Sequence, residues 1–274
     1  MHVRPMTPAD LAACAALTQE VKWPHRLADW QMMLALGEGL VAEHQGRIVG
    51  STLYWRWGTQ RATLGLIIVA GAMRGQGIGS VLLEQALQQL PGMTLHLHAT
   101  AAGAPLYRRF GFAGKDEVVQ YQTPRLSVLP PVTGTMQAAT HDDLPALAQL
   151  DYRANGFQRL PLLQRLLADG ASIILTRQQG IPSGFAVTRR FGHGFNIGPV
   201  IAPDAATAQQ LIAQAMQPLT GEFVRIDSRR RCNLGAWLVG FGLEAVDTPL
   251  RMVRGEEWQP QEMTAWSLMS QAMG

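Results

Sequence analysis

The 274-residue sequence has little cysteine, little excess charge and no long apolar segment. Its two cysteines, Cys14 and Cys232, are too few and too far apart for a disulfide framework or a zinc-ligand spacing. The formal net charge is +3, and the one dense basic run, residues 229–231, is too short to indicate nucleic-acid binding. The most apolar stretch, residues 62–73, is too short to cross a bilayer, and the N-terminus lacks the apolar core of a signal peptide. We therefore expect a cytoplasmic protein without a nucleic-acid or membrane partner.

A proline-rich stretch divides the sequence near its middle and predicts an extended linker, because proline cannot donate to a sheet ladder. The halves on either side repeat one another weakly but in order. A helix start of the form Thr-x-x-Asp occurs at residues 7–10 and again at residues 140–143. The shared order of such matches indicates an internal duplication. The boundaries that we predict are a domain at 1–124, a linker at 125–134, a second domain at 135–255 and a C-terminal tail at 256–274.

The same order of elements is predicted for each half: strand, one or two helices, hairpin, strand, helix, strand, helix, strand. The hairpin turns fall at Gln45-Gly46 and Gln179-Gly180. A composition of 47% hydrophobic and 16% charged residues supports a packed core rather than disorder. The fold class is therefore predicted to be α/β (α+β), with two tandem units around mixed sheets.

The most informative motif is a glycine-rich turn between an apolar strand and an amphipathic helix. Three alternating glycines, Gly75, Gly77 and Gly79, let the backbone approach a ligand closely and turn several N–H groups toward it. The start of the helix adds its partial positive charge, so the turn predicts a pyrophosphate site. A Walker loop is excluded because no lysine follows, and a dinucleotide fold is disfavoured because the next strand ends in His98-Ala99-Thr100 without an acidic residue.

Two motifs carry a resemblance to a known family. Arg74-Gly75-Gln76-Gly77-Ile78-Gly79 resembles the acetyl-CoA signature of the GNAT superfamily, Arg/Gln-x-x-Gly-x-Gly/Ala, and residues 106–112 resemble its closing motif Leu-Tyr-x-x-x-Gly-Phe. The resemblance covers residues 1–122. Residues 97–107 further resemble a GNAT subgroup in which a degenerate, acetyltransferase-like second domain follows the first. The resemblance implies a fold of mostly antiparallel sheets flanked by helices. It also implies that the protein is an N-acetyltransferase that uses acetyl-CoA as co-substrate and no metal.

The resemblance also implies roles for individual residues. The backbone of Ile67, Ile68 and Val69 is expected to pair with the pantetheine arm beside a β-bulge, with the Val69 N–H as a candidate oxyanion donor. Tyr107 stands at the position of the acid that protonates the departing thiolate. Thr100, where many members have asparagine, is a further cofactor candidate. The residues expected to hold the pyrophosphate are Arg74, Gly75, Gln76, Gly77, Ile78, Gly79 and Ser80.

The base that deprotonates the acceptor is left open among Glu43, His44, His96 and His98. His96 and His98 share one strand face, but no third metal ligand is evident, so we predict no metal site. His98 is favoured because it lies nearest the point where the strands are expected to separate and because imidazole titrates near neutral pH.

The second half lacks the residues for this chemistry. No glycine lies between Pro203 and Leu211, Asp204 would repel phosphate, and Leu238 stands at the position of Tyr107. We expect this half to shape the acceptor site, with Arg159 as a candidate contact. The predicted function is acetyl transfer to a primary amine of a small molecule, by a monomer or homodimer. A non-catalytic CoA-binding scaffold and an acetyltransferase for protein or peptide amines are the alternatives.

Overall fold

The computed structural model describes residues 1–134 and 136–274. The N-terminal half contains β1 (His2–Pro5), α1 (Leu11–Glu20), α2 (Leu27–Leu36), β2 (Glu38–His44), β3 (Arg47–Arg56), β4 (Arg61–Val69), α3 (Ile78–Gln88), β5 (Thr94–Ala99), α4 (Ala104–Arg109) and β6 (Ala113–Thr123). The C-terminal half contains β7 (Gln137–Ala138), α5 (Leu144–Asn155), α6 (Leu160–Ala168), β8 (Ser172–Gln178), β9 (Ile181–Phe191), β10 (Gly194–Ala202), α7 (Ala205–Met216), β11 (Val224–Arg229), α8 (Gly235–Gly240), β12 (Glu244–Asp247), β13 (Leu250–Arg254) and β14 (Thr264–Ser267).

The two halves repeat the same order of elements, as predicted, and begin with the same local structure. The backbone N–H of Thr7 donates to the Asp10 carboxylate at 2.8 Å, and that of Thr140 donates to the Asp143 carboxylate at 2.9 Å. In each half these carboxylates satisfy N–H groups ahead of the first long helix, which is the capping arrangement that the Thr-x-x-Asp spacing predicts.

All the strands belong to one mixed sheet that crosses both halves. Its order is β1-β2-β3-β4-β5-β13-β6-β11-β10-β9-β8-β7, with β12 on β6 and β14 on β10. The strand pairs are antiparallel except β4–β5 and β10–β11. The two parallel pairs occupy equivalent places, since each joins the strand after the hairpin to the strand after the following helix.

The halves exchange their last strands. β13 lies between β5 and the beginning of β6, so the C-terminal half completes the sheet of the N-terminal half. Residues 118–123 of β6 lie between β11 and β12 and complete the C-terminal part of the shared sheet in return. Neither half therefore forms its part of the sheet alone. The domain boundaries at 124 and 135 stay a prediction.

The segment predicted as a tail, residues 256–274, packs into the molecule. Its strand β14 pairs with β10, and the residues after it run between the halves. We call residues 268–274 the C-terminal strap. Met269, Ala272 and Met273 of the strap are buried in an apolar core that also contains Trp55 from the N-terminal half and Phe185 from the C-terminal half. The strap is therefore part of a core that both halves share.

The helix α3 shows how local pattern places the site. Ile78, Leu82, Leu83 and Ala86 recur at helical spacing, and all four are buried against the sheet. This packing fixes the start of α3 directly beyond the end of β4. Within residues 1–134 and 136–274, no helix is both long and apolar enough to span a membrane.

Candidate active site

A bulge interrupts β4 at Leu66 and Ile67, where one was expected. The register between β3 and β4 shifts after Ser51, and Leu66 adopts a φ of 53°. The Ser51 hydroxyl donates to the Leu66 carbonyl at 3.0 Å and holds this left-handed residue in place. Such a bulge turns the end of the strand away from its neighbour.

The parallel ladder between β4 and β5 ends at the pair Thr63–His96, and a gap opens beyond it. Along β4, Ile68 pairs with Ser51, and the next residue but one, Ala70, donates its N–H to Val49 at 2.9 Å. Because N–H groups alternate in direction along a strand, the N–H of Val69 points away from β3 and into the gap. This is the orientation that an oxyanion donor would need.

The glycine turn forms an open backbone surface at the start of α3. Gly75 and Gly77 have φ values of 78° and 79°, which the left-handed region allows to glycine at little cost. A Cβ atom added to either one would have no neighbour within 4 Å, so their outer faces are open. The N–H groups at this helix start and the helix dipole together suit a bound pyrophosphate.

Two arginines flank this turn. Arg74, which was predicted, folds back so that its Nε donates to the Val69 carbonyl at 3.2 Å. Arg109, which sequence reasoning missed, lies on α4 and donates to the Ser80 hydroxyl at 3.3 Å. Its proximity to the turn follows only from the packing of α4 against α3, which the sequence does not specify.

Tyr107 lies on α4, beside the start of α3. The neighbouring Leu106 lies 3.5 Å from where a Cβ of Gly79 would be, so the helix that carries Tyr107 packs against the start of α3. Its ring is buried and meets the ring of Phe112 edge-on at 6.1 Å. Burial raises the pKa of Tyr107 to about 12, and the hydroxyl therefore keeps its proton at neutral pH.

Thr100 lies between the gap and α4. Its hydroxyl accepts a hydrogen bond from the Gly103 N–H at 3.2 Å, and its carbonyl accepts one from the Ala104 N–H at 3.0 Å. These bonds order the first turn of α4, and with it the helix that carries Tyr107.

A cavity of about 230 Å³ lies next to the gap, at the junction of the two halves. The N-terminal half contributes the α1–α2 loop, the bulge of β4 and the end of β5, and the C-terminal half contributes β9, β11 and the strap. The lining residues are Lys22, Trp23, Pro24, His25, Gly65, Leu66, His98, Thr100, Gln120, Phe191, Arg225, Val246, Asp247, Pro249, Ser270, Gln271 and Ala272.

His98 is a lining residue whose tautomer is fixed by the strap. Its Nδ1 lies 2.8 Å from the carbonyl oxygen of Gln271, which can only accept, so Nδ1 carries the proton. The other nitrogen, Nε2, is then a lone-pair acceptor, and it is buried without a partner among the described residues. Desolvation lowers the pKa of His98 to about 4 against the opposing bond to Gln271, and the nearby Arg229 contributes to the lowering.

The other candidate bases lie away from the cavity. Glu43 accepts from Arg4 at 3.1 Å on an outer strand, and His44 ends that strand at the hairpin turn. His96 is buried edge-on against the Phe157 ring at 5.1 Å, and desolvation places its pKa well below the ordinary value. Of the four candidates, the structure brings His98 to the cavity.

Arg159 serves a different purpose from the predicted contact with the acceptor. It is fully buried, and its Nε and Nη2 donate to the two carboxylate oxygens of Asp151 at 2.7 Å each. Its Nη1 donates to the carbonyl oxygens of Met273 and Gly274 at 3.2 and 2.5 Å. This corrects the expectation, because a guanidinium occupied in this way anchors the strap to α5 and does not face the cavity.

The second half has no open site at the positions that correspond to the glycine turn and to Tyr107. The Asp204 carboxylate accepts from the Thr207 N–H at 2.8 Å and fills the start of α7, where the first half has its open glycine turn. Leu238 is fully buried. Among the described residues, no group of three or more His, Cys, Asp or Glu side chains is placed to hold a metal ion.

Comparisons with known proteins agree with this architecture. Models described as acetyltransferase (GNAT) domain match residues 36–113 and, separately, residues 147–266. An uncharacterized N-acetyltransferase, YitH, from Bacillus subtilis is 27% identical over 219 residues, which are 77% of this chain and 76% of that protein. A holothin acyltransferase from a Pseudoalteromonas species is 24% identical, over 92% of this chain and 87% of that protein.

Solved structures show the same fold. An acetyltransferase candidate from Pyrococcus horikoshii superimposes with a TM-score of 0.83 at 20% identity, over 100% of this chain and 95% of that one. A GCN5-related N-acetyltransferase from Sphaerobacter thermophilus gives 0.63 at 16% identity, over 95% and 96%. With two matching domains, the tandem sheet and these relatives, the chain belongs to the GNAT acetyltransferases and is an acyltransferase enzyme built from two such domains.

Proposed function

We propose that the protein transfers an acetyl group from acetyl-CoA to the primary amine of a small molecule held in the junction cavity. The single observation that carries the proposal is the convergence of an open glycine turn, a strand gap and a cavity lined by His98, with Tyr107 on the short helix α4 beside the turn. Acetyl-CoA would lie with its pyrophosphate on residues 74–80 and its pantetheine arm along residues 67–69. Thr100 at the end of β5 would face the same arm from across the gap.

Direct attack on the thioester accounts for this arrangement. The amine nitrogen forms a bond to the thioester carbon while the N–H of Val69 stabilises the developing oxyanion. His98 Nε2 takes a proton from the nitrogen, and the Tyr107 hydroxyl gives one to the sulfur as the C–S bond breaks. The products are an amide and free CoA, and the two side chains exchange the remaining proton with solvent.

The strap supplies the contribution of the C-terminal half. Ser270, Gln271 and Ala272 form one wall of the cavity, and the Gln271 carbonyl holds His98 in the tautomer that leaves Nε2 basic. The second half would therefore complete the acceptor site and orient the base, and it would bind no CoA of its own.

The test is a product assay. Purified protein is incubated with acetyl-CoA and panels of small amines and of peptides, with free CoA thiol and acylated products measured together by mass spectrometry. Holothin and longer acyl-CoA donors belong in the panel because of the relative that carries that name. Acylated small amines support the proposal. Acylated peptides alone indicate the protein-directed alternative, and acetyl-CoA binding without any product indicates the scaffold.

A further inference from the structure

The junction cavity carries little charge of the kind that an ammonium group would need. Among the described residues, one carboxylate lines the cavity, that of Asp247. Asp247 is exposed, and its carboxylate accepts a hydrogen bond from the Thr248 N–H at 2.8 Å. The buried Arg225 lines the inner wall, where its Nη2 is paired with Asp227 at 2.7 Å. Lys22 adds a positive charge at the exposed side.

The inner wall instead offers uncharged acceptors. Gln120 donates to Gln122 at 2.9 Å, and Gln271 donates to Gln120 at 3.2 Å. In this chain of amides, the Oε1 of Gln271 is the acceptor to which no group of the described residues donates. The Nε2 of His98 is a second acceptor. Both atoms can receive an N–H from a neutral amine without bringing a charge into the cavity.

Aromatic rings supply the rest of the lining. The ring of His25 meets the ring of Phe191 edge-on, with centroids 5.1 Å apart and an interplanar angle of 89°. The ring centroid of Trp23 lies 6.2 Å from that of His25. Such walls offer edges and faces against which a flat ring can pack.

We infer that the acceptor is an aromatic or heteroaromatic primary amine, which enters the cavity uncharged. This inference rests on the proposed function. An alkylammonium would lose its hydration beside Arg225 without gaining a buried carboxylate, which is the costly way to bury a charge. An amine attached to an aromatic ring is neutral at physiological pH and keeps its N–H groups for Gln271 and His98.

The order of proton loss leads to the same choice. His98 has a pKa of about 4, whereas an alkylammonium resembles lysine with an ordinary pKa of about 10.4, so transfer to His98 is unfavourable by roughly six orders of magnitude. A neutral aromatic amine attacks first. Its nitrogen becomes strongly acidic once bonded to the thioester carbon, and a weak base such as His98 then suffices.

The experiment compares two isomers, p-toluidine and benzylamine, which differ in that only benzylamine is protonated at neutral pH. With saturating acetyl-CoA, we expect kcat/KM for p-toluidine to exceed that for benzylamine by a factor on the order of 10². Calorimetry on the CoA-bound protein gives a readout that does not depend on turnover, and we expect only p-toluidine to bind.

A charge-introducing variant provides the internal control. Gln271→Glu places a carboxylate at the position of the Gln271 Oε1 acceptor. It should shift the ratio of the two kcat/KM values toward benzylamine by about tenfold or more. Equal or better use of benzylamine by the wild-type protein would overturn the inference, as would the failure of both amines to bind. In either case, intact acetyl-CoA binding and acylation of some other amine would leave the proposed function standing. Absence of acetyl-CoA binding together with absence of acylation of any amine would mean that the proposed function itself had failed.

Discussion

The Nδ1 atom of His98 lies 2.8 Å from the carbonyl oxygen of Gln271, although 173 positions separate the two residues in the chain. The bond crosses from a strand of the N-terminal domain to the C-terminal strap. Two arginines of the C-terminal half hold the strap on either side of Gln271. Arg189 donates to the Met269 carbonyl at 3.2 Å, and Arg159 donates to the carbonyls of Met273 and Gly274. The strap thus couples the second domain to the side chain that we propose as the base.

Replacing His98 by asparagine separates its two hydrogen-bonding roles. The asparagine amide can still donate to the Gln271 carbonyl from the position of Nδ1, but it has no group at the position of Nε2. We expect His98→Asn to lower kcat by roughly 10²-fold, the usual scale for one general base, with acetyl-CoA affinity retained. Steady-state kinetics with an accepted amine will measure this, and an unchanged kcat would remove His98 from the mechanism.

The two cavity histidines should make stability depend on pH. His25 and His98 both have a pKa of about 4 in the folded protein, below the ordinary 6.5, chiefly because burial penalises the charged ring. Between pH 6.5 and 4 the unfolded chain therefore binds more protons than the folded protein. The stability that the two neutral histidines contribute is fully present above pH 6.5, and it is lost as the pH is lowered through this window. At pH 5 we expect a loss on the order of 1–2 kcal/mol per histidine.

Urea unfolding at pH 7.5 and pH 5 measures this effect, and His98→Asn is its control. The variant removes one of the titrating groups and should flatten the dependence on pH. A wild-type protein that is equally stable at both values, or a variant with an unaltered slope, would contradict the assignment of neutral rings.

Breaking the anchor of the strap should cost much more than breaking a surface ion pair. Arg159→Gln leaves the carboxylate of Asp151 buried without its charged partner, so we expect a loss of about 3–5 kcal/mol in the free energy of unfolding. Arg165→Gln removes the partner of Asp169 in a solvent-accessible pair at the end of α6, and it should cost less than about 1 kcal/mol. Equal losses in denaturant titrations of the two variants would show that the buried pair does not hold the strap.

The leaving-group acid can be tested by removing a single oxygen atom. Tyr107→Phe keeps the ring against Phe112 and should lower kcat by roughly 10²-fold while leaving acetyl-CoA affinity almost intact. Tyr152→Phe provides the matched control, because the Tyr152 ring packs on Trp258 at 5.1 Å and does not line the cavity. This control variant should keep the wild-type kcat. A wild-type kcat for Tyr107→Phe would assign protonation of the thiolate to water.

Local signals were sufficient for much of the fold. The Thr-x-x-Asp starts and the Gln-Gly hairpin turns depend on contacts within a few residues, and both sets appear in both halves where the sequence predicts them. The glycine turn is equally local, because Gly75 and Gly77 lack a Cβ and can therefore adopt the positive φ values that the turn requires. The repeated order of these signals was enough to predict the tandem architecture.

The cavity that we propose as the acceptor site depends on contacts that no local pattern encodes. The strand exchange brings β13, and the path of the strap brings Gln271, against β5 and β6, more than a hundred positions away. Without that placement, Arg159 resembled a surface arginine suited to an anionic substrate, whereas it closes a buried pair with Asp151. The cavity roles of His25 and Gln271 were missed for the same reason.

The most direct test of the central claim is a calorimetric titration of acetyl-CoA into the wild-type protein and two glycine variants. Gly77 and Gly180 both have positive φ, at 79° and 83°, and both have open space around a built Cβ, so a valine imposes comparable strain at each position, at least about 1–2 kcal/mol. Gly77→Val also puts a side chain in the path that we propose for the pyrophosphate, whereas Gly180 turns a hairpin in the other half. We expect one acetyl-CoA to bind per wild-type chain, with no detectable binding to Gly77→Val and unchanged binding to Gly180→Val. Two sites per chain, or wild-type affinity in Gly77→Val, would contradict this expectation.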